Sequence, residues 1–155
     1  MATSAQRAKL VELAGELIHH AAEIHYAQTR PYPFHLKAPA YPITLDCSSA
    51  VTLLCKWAGL HDPNGPNYNY DGYGYTGTLL DGPCPHYFTA SHAKQGAIVI
   101  FGPGTGEHAA MVIGDLGTNP LLFSHGNEAG PIAIRLHDEA QYHAPPTTFL
   151  SIAHL

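Results

Sequence analysis

Cys47 stands in Asp46-Cys47-Ser48-Ser49-Ala50-Val51. Cys47, Val51, Leu54, Cys55 and Ala58 recur at helical spacing, with Asp46 placed as N-cap and Gly59 as terminator. The pattern predicts an inward-facing helix from Cys47 to about Ala58. A cysteine in the first helical turn lies beside free backbone amides and the positive end of the helix dipole, and both favour a thiolate. Such a residue is either a poised nucleophile or a small buried one. Cys55 lacks that position and reads as core, while Cys84, between Pro83 and Pro85, reads as loop.

A nucleophilic cysteine needs a base within hydrogen-bond reach, and the base needs an orienting group. His108 begins an apolar run directly after the glycine-rich turn 102–106, and His125 ends the next run, across a predicted hairpin. Residues on paired strands can be neighbours, so Cys47, His108 and His125 form a candidate triad. The stretch after His125 also offers Asn127 and Glu128 as third member or substrate contact.

These residues need elements to hold them. Residues 5–27 read as an amphipathic helix through Leu10, Leu13, Ala14, Leu17, Ala21 and Ile24, ended by Pro31 and Pro33. Residues 30–45 contain four prolines and read as an extended approach loop. Residues 61–93 form a long irregular segment with Tyr68, Tyr70, Tyr73 and Tyr75. Long loops are often functional, so Tyr70, Tyr73 and Tyr75 are candidate substrate contacts. Short apolar runs at 96–101, 108–113, 121–124 and 132–136 then read as strands, with a fifth at 148–152. Helices followed by an antiparallel meander predict an α+β fold, with N-terminal helices packed on a small antiparallel sheet in one domain, residues 1–155.

The motifs resemble those of NlpC-type cysteine peptidases, the papain-like enzymes of bacterial cell walls. Asp46-Cys47-Ser48-Ser49 is similar to the Asp-Cys-Ser-Gly start of their catalytic helix, with Ser49 in place of glycine. Gln95-Gly96-Ala97-Ile98-Val99-Ile100-Phe101 resembles their Pro-Gly-Asp-Leu-Val-Phe-Phe strand, with Ala97 in place of aspartate. His108-Ala109-Ala110-Met111-Val112-Ile113-Gly114 resembles the strand that begins with the base, and Leu122-Phe123-Ser124-His125 the strand whose histidine orients it. Order and spacing agree from about residue 30 to residue 136. The resemblance implies a tyrosine near the oxyanion site, matched by Tyr32 or alternatively Tyr41, with Asp46 and the Cys47 amide beside it. It also implies hydrolysis of an amide in the peptide stem of peptidoglycan, most often the bond between D-glutamate and a diamino acid. The run Ser124-His125-Gly126-Asn127-Glu128-Ala129-Gly130-Pro131 resembles peptidase domains of phage endolysins. The rival readings are an N-acetylmuramoyl-L-alanine amidase, a non-catalytic wall-binding module on the same fold, and a cysteine acyltransferase.

Composition narrows the classes. The net charge of −5, from 7 basic and 12 acidic residues, argues against nucleic acid as a partner. Apolar residues make up 45% of the chain, which argues against disorder. The 12 histidines would carry the charge from −5 to +7 if all were protonated, so charge depends strongly on pH. His19, His20 and His25 cluster near one predicted helix end, where cations are ordinary. No metal or other cofactor is expected. Three cysteines make no disulfide framework. The expectation is a monomer made in the cytoplasm without a signal peptide, with no membrane span, acting on the cell wall.

Overall fold

The computed structural model describes residues 1–126 and 128–155. Helix α1 runs from Ser4 to His19. Thr3 caps it, its side chain accepting from the Gln6 amide while the Gln6 side chain accepts from the Thr3 amide. Leu10, Leu13, Ala14 and Leu17 form its buried stripe, each leucine contributing about 2 kcal/mol by burial. The helix is shorter than its periodicity predicts. A 3₁₀ turn at Ala21–Glu23 follows, and Ile24 belongs to strand β1, Ile24–Tyr26. Strand β1 pairs in parallel with β2, Ile43–Leu45, inside the stretch read as an approach loop. Three-residue strands are too short to carry a period-2 signal, so the sequence pattern missed both.

Helix α2 is Cys47–Trp57, in agreement with the prediction. Every residue from Cys47 to Cys55 is buried, as expected of a helix at the centre of a domain. The long segment after it contains a short helix, α3, Thr76–Leu80, and an edge strand, β3, His86–Tyr87. Strands β4, Ile98–Phe101, β5, His108–Gly114, β6, Leu121–Ser124, and β7, Ile132–Arg135, make the expected antiparallel meander. Leu136 was expected to end the last strand; instead it starts helix α4, Leu136–Ala140. Strand β8, Thr147–Leu150, inserts between β3 and β4, giving the order β3-β8-β4-β5-β6-β7.

The sheet is covered on both faces. Ile98, Ile100, Ala109, Met111, Phe123 and Leu150 pack with α1 and α2. Val99, Phe101, Ala110, Val112, Leu122 and Phe149 pack with Leu136. Two covered faces explain why β4 is a continuous apolar run rather than an alternating one. The α+β expectation holds. No described helix is long and apolar enough to cross a membrane.

Candidate active site

Asp46 builds the start of α2. Its carboxylate accepts from the Ser49 amide at 2.8 Å and the Ser48 hydroxyl at 3.1 Å, and the Ser49 hydroxyl accepts from the Asp46 amide at 2.8 Å. Serine at position 49 therefore completes a reciprocal cap that glycine could not make. Arg30 donates to the other Asp46 oxygen at 3.2 Å and to the carbonyl of Gly74 at 3.1 Å. Both carboxylate oxygens are thus committed to the helix start and to Arg30. Asp46 positions Cys47; it does not orient His108.

His108 opens β5, directly after Gly106. That glycine has φ +84°, and a Cβ there would meet Ile100 Cγ2 at 2.7 Å, so the turn that presents His108 admits no side chain. Cys47 lies near enough to the His108 imidazole to raise its pKa. Its Nε2 lies 2.8 Å from Ser124 Oγ and 3.1 Å from Glu139 Oε1. The Ser124 hydroxyl in turn reaches Glu139 Oε1 at 3.4 Å. A carboxylate only accepts, so these partners place the proton on Nε2 and leave Nδ1 as the ring nitrogen they do not hold. The His108 ring packs in a cluster with two others: its centroid is 4.9 Å from that of His143 at an interplanar angle of 6° and 6.0 Å from that of Phe101, and those two are 5.0 Å apart.

Electrostatics follow this geometry. Burial alone would lower the pKa of His108, but the hydrogen bonds to Cys47 and Glu139, and their charges, push it up to about 9. The His108 hydrogen bond holds the Glu139 carboxyl below its usual range, against burial and with help from His143.

The structure corrects the expected third member. His125 is fully buried, and its Nε2 faces the carbonyls of Leu45 at 3.0 Å and His25 at 3.2 Å. Ser124 pairs with Ala110, two residues from His108 and on the same face of β5, so Ser124 points at the base and His125 away from it. Burial lowers the pKa of His125. The histidine ties β1 and β2 together one residue before Asp46. Glu128 lines the cavity beside His108, where its carboxylate accepts from the Gly126 amide at 2.9 Å. Asn127 lies outside the described residues.

The tyrosines divide. Tyr32 is buried and its hydroxyl donates to the Ala27 carbonyl at 3.2 Å. Its backbone amide donates to Gly72, where φ is +91° and a Cβ would meet Tyr32 backbone at 2.7 Å. Tyr41 stacks on His20 and reaches Glu16. Neither lines the cavities that Cys47 and His108 face. Tyr26 does: it lines a cavity of about 490 Å³ with His108, and burial, followed by charges that include Cys47, raises its pKa. Tyr70 turns inward, its hydroxyl donating to the Leu60 carbonyl at 2.8 Å, and it does not line the cavity that Tyr73 and Tyr75 share. Tyr73 and Tyr75 are exposed and line a second cavity, of about 410 Å³, with Cys47, Gln28 and Arg30. Glu107 lines both cavities. Cys47 and His108 thus each face a concave surface.

Glu139 and Tyr26 were missed in the sequence. The signal for Glu139 was its spacing of four from His143, a helical pair in a stretch left unassigned.

The three thiols should differ in reactivity. Burial pushes Cys55 well up and Cys84 up to about 12, whereas Cys47 lines a cavity beside a base. Peptide mapping after a short exposure to iodoacetamide should find the label on Cys47 first. Earlier labelling of Cys55 or Cys84 would assign the nucleophile wrongly.

No protein-family model, curated protein or solved structure matches the chain.

Proposed function

We propose that this chain is a papain-like, NlpC-type cysteine hydrolase that cuts an amide bond in the peptide stem of bacterial peptidoglycan, as a phage endolysin peptidase does. One observation carries the reading. A cysteine at a helix start lies beside a histidine whose Nε2 is held by a buried carboxylate and a hydroxyl. In this reading Cys47 is the nucleophile, His108 the base and Glu139 the orienting group, with Ser124 between them. The thiol proton passes to His108, the sulfur attacks the carbonyl, and a tetrahedral oxyanion forms beside the Cys47 amide and the Tyr26 hydroxyl. His108 gives its proton to the leaving amine, which departs and leaves a thioester. His108 then takes a proton from water, hydroxide adds to the thioester, and the acid leaves with the thiol restored. Glu139 stabilises the imidazolium at each stage.

The bond favoured by the resemblance lies between D-glutamate and the diamino acid. Incubation with purified peptidoglycan, followed by mass analysis of the released fragments, tests it. The expected products carry a new amine on the diamino acid and a new carboxyl on D-glutamate. Release of whole stem peptides would indicate an amidase, and an unchanged wall would remove the hydrolase reading.

A further inference from the structure

His143 has no part in the hydrolytic cycle above, yet it sits against the base. Its Nε2 is 3.1 Å from the same Glu139 oxygen that lies 3.1 Å from His108 Nε2. One donor atom from each of His108, Glu139 and His143 falls within a set no more than 4.8 Å across. Donors about 2.1 Å from a tetrahedral zinc ion lie about 3.4 Å from one another, close to the two spacings found here. Two imidazoles and one carboxylate are a donor set for zinc or cobalt rather than for calcium or magnesium, which take oxygen ligands. The Ser124 hydroxyl, 2.8 Å from His108 Nε2, or water from the adjoining cavity could complete the fourth position.

We propose that His108, Glu139 and His143 bind a zinc-class dication, and that the ion switches the hydrolase off. The second half rests on the reading of His108 as base. An imidazole that coordinates through Nε2 keeps its remaining proton on Nδ1. It then has no lone pair to accept the Cys47 proton, and Glu139 is withdrawn from the orienting role at the same time. Removal of the ion returns the proton to Nε2 and frees Nδ1. Sequence pattern does not mark this centre, because Glu139 lies in a helix of five residues and His143 in the turn after it.

The test is calorimetric titration of the metal-free protein with zinc, alongside cobalt absorption spectra and the rate of fragment release from peptidoglycan. One equivalent should bind, a chelator should restore hydrolysis, and Glu139→Gln and His143→Gln should each weaken binding by about tenfold or more. Cys47→Ala should leave the affinity unchanged. Unchanged affinity in both folded ligand variants would overturn the site, since binding would then belong to other histidines such as His19 and His20. A cobalt–thiolate charge-transfer band that disappears in Cys47→Ala would overturn it too, by placing the ion on sulfur. Zinc binding with these ligand effects in a chain that releases no fragments even when metal-free would keep the site and remove the hydrolase reading. Hydrolysis unaffected by bound zinc would overturn the switch alone.

Discussion

Cys47→Ala should abolish fragment release, by about 10⁴-fold or more, in a protein that still folds. The expectation rests on the separation of two roles at the start of α2. The cap is made by Asp46, Ser48 and Ser49, and Arg30 braces it, so none of the helix-start hydrogen bonds uses the sulfur. Alanine keeps the helix and removes one atom that borders a cavity. The stability cost should be about 1 kcal/mol. Circular dichroism and urea titration check the fold, and the initial rate on purified peptidoglycan checks the chemistry. Turnover retained in a folded Cys47→Ala protein would sink the cysteine mechanism.

The second large effect separates two residues near the base. Glu139→Gln keeps the volume but replaces the carboxylate that stabilises the His108 cation. Turnover should fall by about 10²- to 10⁴-fold with KM little changed, because the carboxylate acts on the imidazole and not on bound substrate. His125→Ala should behave in the opposite way. It removes a fully buried ring whose Nε2 lies against two carbonyls, leaving a cavity and unpaired backbone groups. That should cost about 2–4 kcal/mol of stability, with a smaller loss of turnover per folded molecule. Urea midpoints and initial rates on the same preparations resolve the two. If His125→Ala has the greater loss of turnover at full stability, the orienting role returns to His125.

The contrast marks where the sequence was legible. Helix α2 could be read because its cap and its apolar spacing both lie within a dozen residues, and both came out where expected. The meander could be read because each strand is a separate apolar run between turns. The orienting residue could not. Order along the chain placed a histidine on the strand after the base, but pairing register decides which residue faces it, and a shift of one position reverses the face. Ser124 and His125 are adjacent in sequence and point to opposite sides of the sheet. Glu139 arrives from a helix of five residues, too short for periodicity to announce. Tyr26 sits in a three-residue strand whose partner, β2, comes from a proline-rich stretch, so its position depends on a pairing that sequence spacing does not encode.

The placement of β8 bears on how the protein is made. This late strand is an interior member of the sheet, hydrogen-bonded to β4 on one side and β3 on the other. Glu139 also lies late, after all four strands of the meander. During synthesis the ribosome releases Cys47 and His108 long before Leu150, and domains fold as units once their chain is available. The nascent chain therefore carries Cys47 and His108 while β4 still lacks one neighbour and His108 still lacks the Glu139 carboxylate. The interior place of β8 therefore leaves the sheet incomplete until synthesis has passed Leu150.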